Sequence, residues 1–188
     1  MAFWLKRGID GFRIDTVNMY SKGTELLDAP INDPTTELQF DPHLFCNGPR
    51  MHEFLREMNI KALAGYDVFT VGELPPTPDP AHVLRYISAS DKQLDMVFQF
   101  DIVDLGQGDL HRFETKPFSV GTFKDVLNRL QRLITGTDAW STAFPENHDQ
   151  SRSISRFASD KPTNRVRSGK LLAMLLGTLT GTLYLYQG

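Results

Sequence analysis

Strand signals and helix signals alternate along the whole of this 188-residue chain, and that alternation restricts the fold more than any other feature. Strand-like stretches stand at residues 10–15, 67–73, 95–100, 140–144 and 182–186, with helical patterns at 49–64, 79–89, 122–134 and 165–176 between them. Two of the helical stretches carry apolar stripes at the right spacing. Met51, Phe54, Leu55, Met58 and Ala62 form one, and Phe123, Val126, Leu127, Leu130 and Ile134 the other. Asp79-Pro80 is a helix start signal. Such an order predicts an α/β fold with a parallel sheet and right-handed crossovers. An open doubly wound sheet and a closed (β/α)8 barrel both satisfy it. No Gly-rich phosphate loop follows the first strand, which weakens the dinucleotide-binding form of the open sheet. No internal repeat or low-complexity tract is present.

Composition narrows the function classes. The apolar fraction is 40% and the charged fraction 23%, ordinary values for a globular domain. A formal charge of −3 leaves no basic footprint for nucleic acid or an anionic membrane. Cys46 is the one cysteine, so no internal disulfide can form; a reducing, cytoplasmic compartment is expected. Residues 1–8 lack the apolar core of a signal peptide. Residues 171–188 carry no formal charge, but Gly177, Thr178, Thr180, Gly181 and Thr182 break the run. A buried helix, a turn and a strand therefore explain it better than a membrane span. Two long irregular stretches, 20–48 and 100–121, each follow a strand, and loops of that length are usually functional. The first is expected to wall a substrate cleft.

Three strand ends carry carboxyl groups with polar partners. At the first, alternation puts Phe12 and Ile14 on one face and Gly11, Arg13 and Asp15 on the other. An arginine beside a carboxylate favours its ionised form, and an ionised, oriented carboxylate is a good nucleophile; a purely structural Arg–Asp pair reads equally well. At the second, Glu73 precedes Leu74, Pro75 and Pro76. Apolar neighbours raise a carboxyl pKa and suit it to protonate a leaving oxygen, unless Glu73 is a simple loop glutamate. At the third, His148 and Asp149 follow Asn147. Such a pair can bind hydroxyls and stabilise positive charge, or be a satisfied surface pair. No metal is expected there, because His43, His52, His82 and His111 are scattered and no ligand spacing is seen. His52-Glu53 lacks the second histidine of a zinc-protease motif.

Together these stretches resemble a known family. Gly11-Phe-Arg-Ile-Asp15, Val71-Gly-Glu73 and Asn147-His-Asp149 are similar to the second, third and fourth signatures of the α-amylase family, family 13 of the glycoside hydrolases. The three acids stand 58 and 76 residues apart, similar to the α-glucosidase branch. Gly48-Pro-Arg-Met-His-Glu53, Asn147-His-Asp-Gln150 with Arg152, and Leu179-Thr-Gly-Thr-Leu-Tyr-Leu-Tyr-Gln-Gly188 match that branch too. The resemblance implies that Asp15 is the nucleophile, Glu73 the general acid/base and Asp149 the third carboxylate. It implies that Arg13 orients Asp15, that His148 binds the sugar in the outermost subsite, and that Gln150 and Arg152 belong to the substrate-binding set. Thr16, directly after the nucleophile, looks like the maltose-cleaving α-1,4 type, where valine would look like the α-1,6 type. The substrate implied is a small α-glucoside, with no cofactor, nucleic acid or membrane as partner.

On the family's plan the chain is a partial (β/α)8 TIM barrel, strands four to eight, forming one truncated catalytic domain over residues 1–188. The first three strands, the inserted domain and the C-terminal β-domain would be absent, and Phe3, Trp4 and Leu5 would pack as part of the helix before the fourth strand. An open barrel exposes two strand edges, so the isolated chain is expected to be inactive and poorly soluble, or to pair edge to edge. Calcium, common in amylases near the inserted domain, has no evident ligand cluster here. A transglycosidase such as a sucrose isomerase would use the same three acids. A non-catalytic amylase-like domain would be expected to have lost some of them.

Overall fold

A computed structural model describes residues 1–108 and 113–187. His111 and Gly188, named above, lie outside them. The chain divides into two compact units, Met1–Val97 and Phe98–Gly188, and each is described by itself.

The first unit opens with helix α1 (Ala2–Leu5) and strand β1 (Gly11–Ile14). Helix α2 (Met51–Met58), strand β2 (Phe69–Leu74), helix α3 (Pro80–Ile87) and strand β3 (Met96–Gln99) follow, the last running across the boundary between units. The strands form one sheet in the order β1-β2-β3. Strands β1 and β2 are parallel, with Gly11 opposite Phe69 and Ile14 opposite Gly72. One step further along that register, Asp15 and Glu73 come side by side. Close approach of β1 to β2 requires Gly11, where a Cβ would lie 2.1 Å from the Phe69 carbonyl oxygen. Asp95 ties β3 to β2: its Oδ2 accepts from the Thr70 amide at 2.6 Å and the Thr70 hydroxyl at 2.9 Å.

Helix α3 begins as its sequence predicts, with the Asp79 carboxylate accepting from the Ala81 amide and Pro80 in the first turn. It buries Val83, Tyr86 and Ile87. Helix α2 departs from the expected 49–64. It gives way at Asn59 to a turn of π-helix (Asn59–Leu63), and the extra residue in that turn brings Leu63 rather than Ala62 into the core. Met51 and Leu55 are buried as expected. In α1 only Leu5 is buried. Phe3 and Trp4, expected to pack, are exposed and stack edge-on against each other, with the Arg7 guanidinium over the Phe3 ring.

The second unit holds helix α4 (Asp101–Asp104), helix α5 (Val120–Leu133), strand β4 (Thr142–Ala143), helix α6 (Ser153–Phe157), helix α7 (Arg165–Gly177) and strand β5 (Thr182–Leu183). Ser119 caps α5 by accepting from the Thr122 amide. Strands β4 and β5 are parallel, Thr142 opposite Thr182. The core gathers Ile102, Val103 and Phe144, with Phe123 and Leu127 of the expected α5 stripe packed on it.

The fold is α/β, as the alternation predicts, and the strand pairs seen are parallel. Among the described residues the five strands form two separate small sheets rather than one. Helix α1 lies where the family's plan puts the helix before the fourth strand, while two short helices, α4 and α6, carry too few residues for a periodic stripe and were not expected; α4 lies in the stretch 100–121 read as loop. Helix α7 ends at Gly177, and among the described residues no helix is long and apolar enough to cross a membrane.

Candidate active site

Two parallel strand ends build the principal site. Arg13 lies on β1 and Asp15 follows it; Glu73 is the second-last residue of β2. The Arg13 guanidinium bridges both acids, pairing with Asp15 Oδ1 through Nη1 and lying 2.8 Å from Glu73 Oε2 through Nη2. The Thr16 amide donates to Glu73 Oε2 at 3.2 Å. Two acids in one cluster thus have opposite environments: the Asp15 side chain is 70% exposed and that of Glu73 only 7%.

That difference sets their chemistry. Burial pushes the Glu73 carboxyl above the usual carboxylate range, and the neighbouring Asp15 carboxyl adds to the rise, against the Thr16 amide and Arg13, which hold it down. A buried carboxyl with a raised pKa beside an exposed one is the division of labour that an acid and a nucleophile need. The sequence suggested apolar neighbours as the cause; the structure shows burial as the first cause, with Arg13, the Thr16 amide and Asp15 as the groups in contact.

Sequence reasoning missed Tyr20. Its hydroxyl donates to the Asp15 carbonyl oxygen, fixing the turn that carries the acid. Burial raises the Tyr20 pKa, and the charge of Asp15 adds to that. The only available signal was an aromatic residue five positions after a strand-end acid.

In the second unit, His148 Nε2 lies 3.4 Å from Asp149 Oδ2, and the Asp149 amide donates to Asn147 Oδ1 at 2.9 Å, an Asx turn. Gln150 Oε1 accepts from Gln107. Arg152 pairs with Glu146 at 3.2 Å and covers the Tyr186 ring at 4.7 Å. Arg152, Glu146 and Tyr186 help to line a cleft of about 510 Å³. Neither Glu146 nor Tyr186 was singled out in the sequence as a partner of Arg152. Among the described residues no group of three His, Cys, Asp or Glu side chains could hold a metal ion.

A parallel α/β scaffold with an exposed and a buried acid on adjacent strand ends defines a candidate acid–base site of glycoside-hydrolase type. The chain belongs to the α-amylase catalytic domain family, whose pattern matches residues 1–188. It is 48% identical over 188 residues to an α-glucosidase of Candida albicans and 45% identical over 192 residues to an oligo-1,6-glucosidase of Saccharomyces cerevisiae. All of this chain is covered in both, but only 33% and 32% of those relatives, so it spans about a third of their length. Among solved structures it resembles trehalose-6-phosphate hydrolase of Bacillus licheniformis (TM-score 0.84, 35% identity) and isomaltulose synthase of Klebsiella sp. LX3 (TM-score 0.88, 33% identity). Each match covers 99% of this chain and 32% of the other.

Proposed function

We propose that this chain supplies the catalytic acids of a retaining α-glucosidase that removes terminal α-1,4-linked glucose from maltose and other short α-glucosides. The Arg13 bridge between an exposed Asp15 and a buried Glu73 carries the reading. Asp15 attacks the anomeric carbon while Glu73 gives its proton to the leaving oxygen. A covalent glycosyl-enzyme forms, and Glu73, now ionised, takes a proton from the water that hydrolyses it. The roles of Asp149 as third carboxylate, of His148 in the outermost subsite, and of Gln150 and Arg152 in substrate binding rest on the signature Asn147-His-Asp149 and its continuation. Thr16 supports the α-1,4 preference.

The chain corresponds to strands four to eight of a (β/α)8 barrel, in one catalytic domain over residues 1–188, and is inactive by itself. Exposed Leu171 and Met174 on the last helix, Leu183 on the last strand and Leu185 after it support this. A transglycosidase is the second reading, favoured by the likeness to isomaltulose synthase.

The test is a chimera in which this chain replaces the matching third of the Candida albicans α-glucosidase. Hydrolysis of maltose in preference to isomaltose, abolished by Asp15→Asn, is the expected result. Full activity with Asp15→Asn would overturn the assignment, and isomaltulose formed from sucrose would select the second reading.

A further inference from the structure

The segments that follow the two acids in the chain meet in a hydrogen-bonded ring that no step of the reaction uses. Asn18, fully buried, stands three residues beyond Asp15 in a single 3-10 turn (Val17–Met19). Its amide Nδ2 donates to the Pro75 carbonyl oxygen at 2.7 Å and to Thr77 Oγ1 at 3.0 Å. Pro75 stands two residues beyond Glu73. Thr77 Oγ1 also accepts from Asn47 Nδ2 at 3.1 Å and itself donates to the Pro75 carbonyl at 3.0 Å. The ring closes where the Asn47 amide donates to the Asn18 carbonyl at 2.7 Å. Buried Tyr86 of α3 anchors it, its hydroxyl donating to Asn47 Oδ1 at 2.7 Å. Asn47 takes a left-handed conformation, φ 56°, to make both contacts.

We propose that Asn18 is a positioning residue that fixes the separation of Asp15 and Glu73. The inference rests on the reading of those two acids as the reacting pair. The paired register of β1 and β2 ends at Ile14 and Gly72, and beyond it Arg13 and the Thr16 amide hold the acids through contacts to their side chains. The Asn18 amide joins the segments that follow the two acids. Both of its amide protons are used, one on the Pro75 carbonyl and one on Thr77 Oγ1. A separation suited to direct attack, about 5–5.5 Å between carboxyls, then does not depend on the guanidinium alone. Arg13, Asp15 and Tyr20 are the charged and titratable groups that act on this cluster with Glu73. None of them belongs to the ring, so a change in Glu73 on altering Asn18 reports geometry and not a lost charge.

The experiment compares Asn18→Ala, Thr77→Val and Thr77→Ser in the chimera, reading kcat, KM, the pH profile of kcat/KM and the melting temperature. Asn18→Ala and Thr77→Val should each lower kcat about tenfold to a hundredfold with little change in KM. Both should move the alkaline limb, which reports the protonated acid, to lower pH as water reaches Glu73. Thr77→Ser keeps the hydroxyl and should restore the limb relative to Thr77→Val. A lower melting temperature with an unmoved limb and unchanged kcat per folded molecule would overturn the inference alone. An unaltered pH limb in Glu73→Gln with activity retained would overturn the reading beneath it, and an inactive parent chimera would do the same.

Discussion

The backbone amide of Thr16 donates to Glu73 Oε2 at 3.2 Å from a left-handed conformation, φ 36° and ψ 49°. A β-branched residue rarely adopts that region, and holding it there costs about 1–3 kcal/mol. The strain turns the amide toward the buried acid. Thr16→Gly should therefore raise the stability of the protein by about 0.5–1 kcal/mol, since the relief of about 1–2 kcal/mol exceeds the added freedom of glycine in the unfolded chain. Denaturant unfolding checks this. A loss of stability of the size usual for glycine would mean that the turn is unstrained.

Glu73 links stability to pH. Its carboxyl titrates above the ordinary value when folded, so the folded state holds the proton more tightly than the unfolded one. The stabilisation is complete below the unfolded pKa, about 4.3, and is lost as pH rises through the raised folded value. Glu73→Gln mimics the protonated form. Its stability advantage over the parent should be small at pH 4 and grow toward neutrality, while turnover disappears. Unfolding midpoints across pH measure it; an advantage that shrinks with rising pH would contradict the raised pKa.

Much of this was legible in the sequence, and the parts that were not have a common cause. The elements at 10–15, 67–73 and 79–89 were read within a residue or two of where they lie, because alternation and the Asp79-Pro80 cap act locally. The pairing of Arg13 with Asp15 follows from strand periodicity. Its second contact, to Glu73, needs the register of β1 against β2, which no local pattern encodes. The ring through Asn18, Asn47 and Thr77 was invisible for the same reason, since its members lie about thirty residues apart in the chain and meet only through the tertiary fold. The stretch 20–48 illustrates the difference. Its composition marks it as a long loop, but does not reveal that its end supplies Asn47 to the ring, or Gly48, where a Cβ would lie 2.0 Å from the Ser21 carbonyl.

Gly11→Ala tests the register directly. The new methyl would collide with the backbone of Phe69, which cannot move without breaking the β1–β2 ladder. A cost of about 3 kcal/mol or more is expected, at the upper end for overpacking. Activity should fall with it, because the same ladder aligns Asp15 with Glu73. A variant of parent stability, by thermal melting, would show that the strands are not so close.

The assignment of Asp15 as nucleophile and Glu73 as acid is tested most directly by trapping the glycosyl-enzyme. A slow fluorinated α-glucosyl fluoride is incubated with the chimera, and the labelled peptide is identified by mass spectrometry. The account predicts one glucosyl adduct, on Asp15 within the peptide that contains Gly11-Phe-Arg-Ile-Asp15. An adduct on Glu73 or Asp149, with Asp15 unmodified, would contradict it.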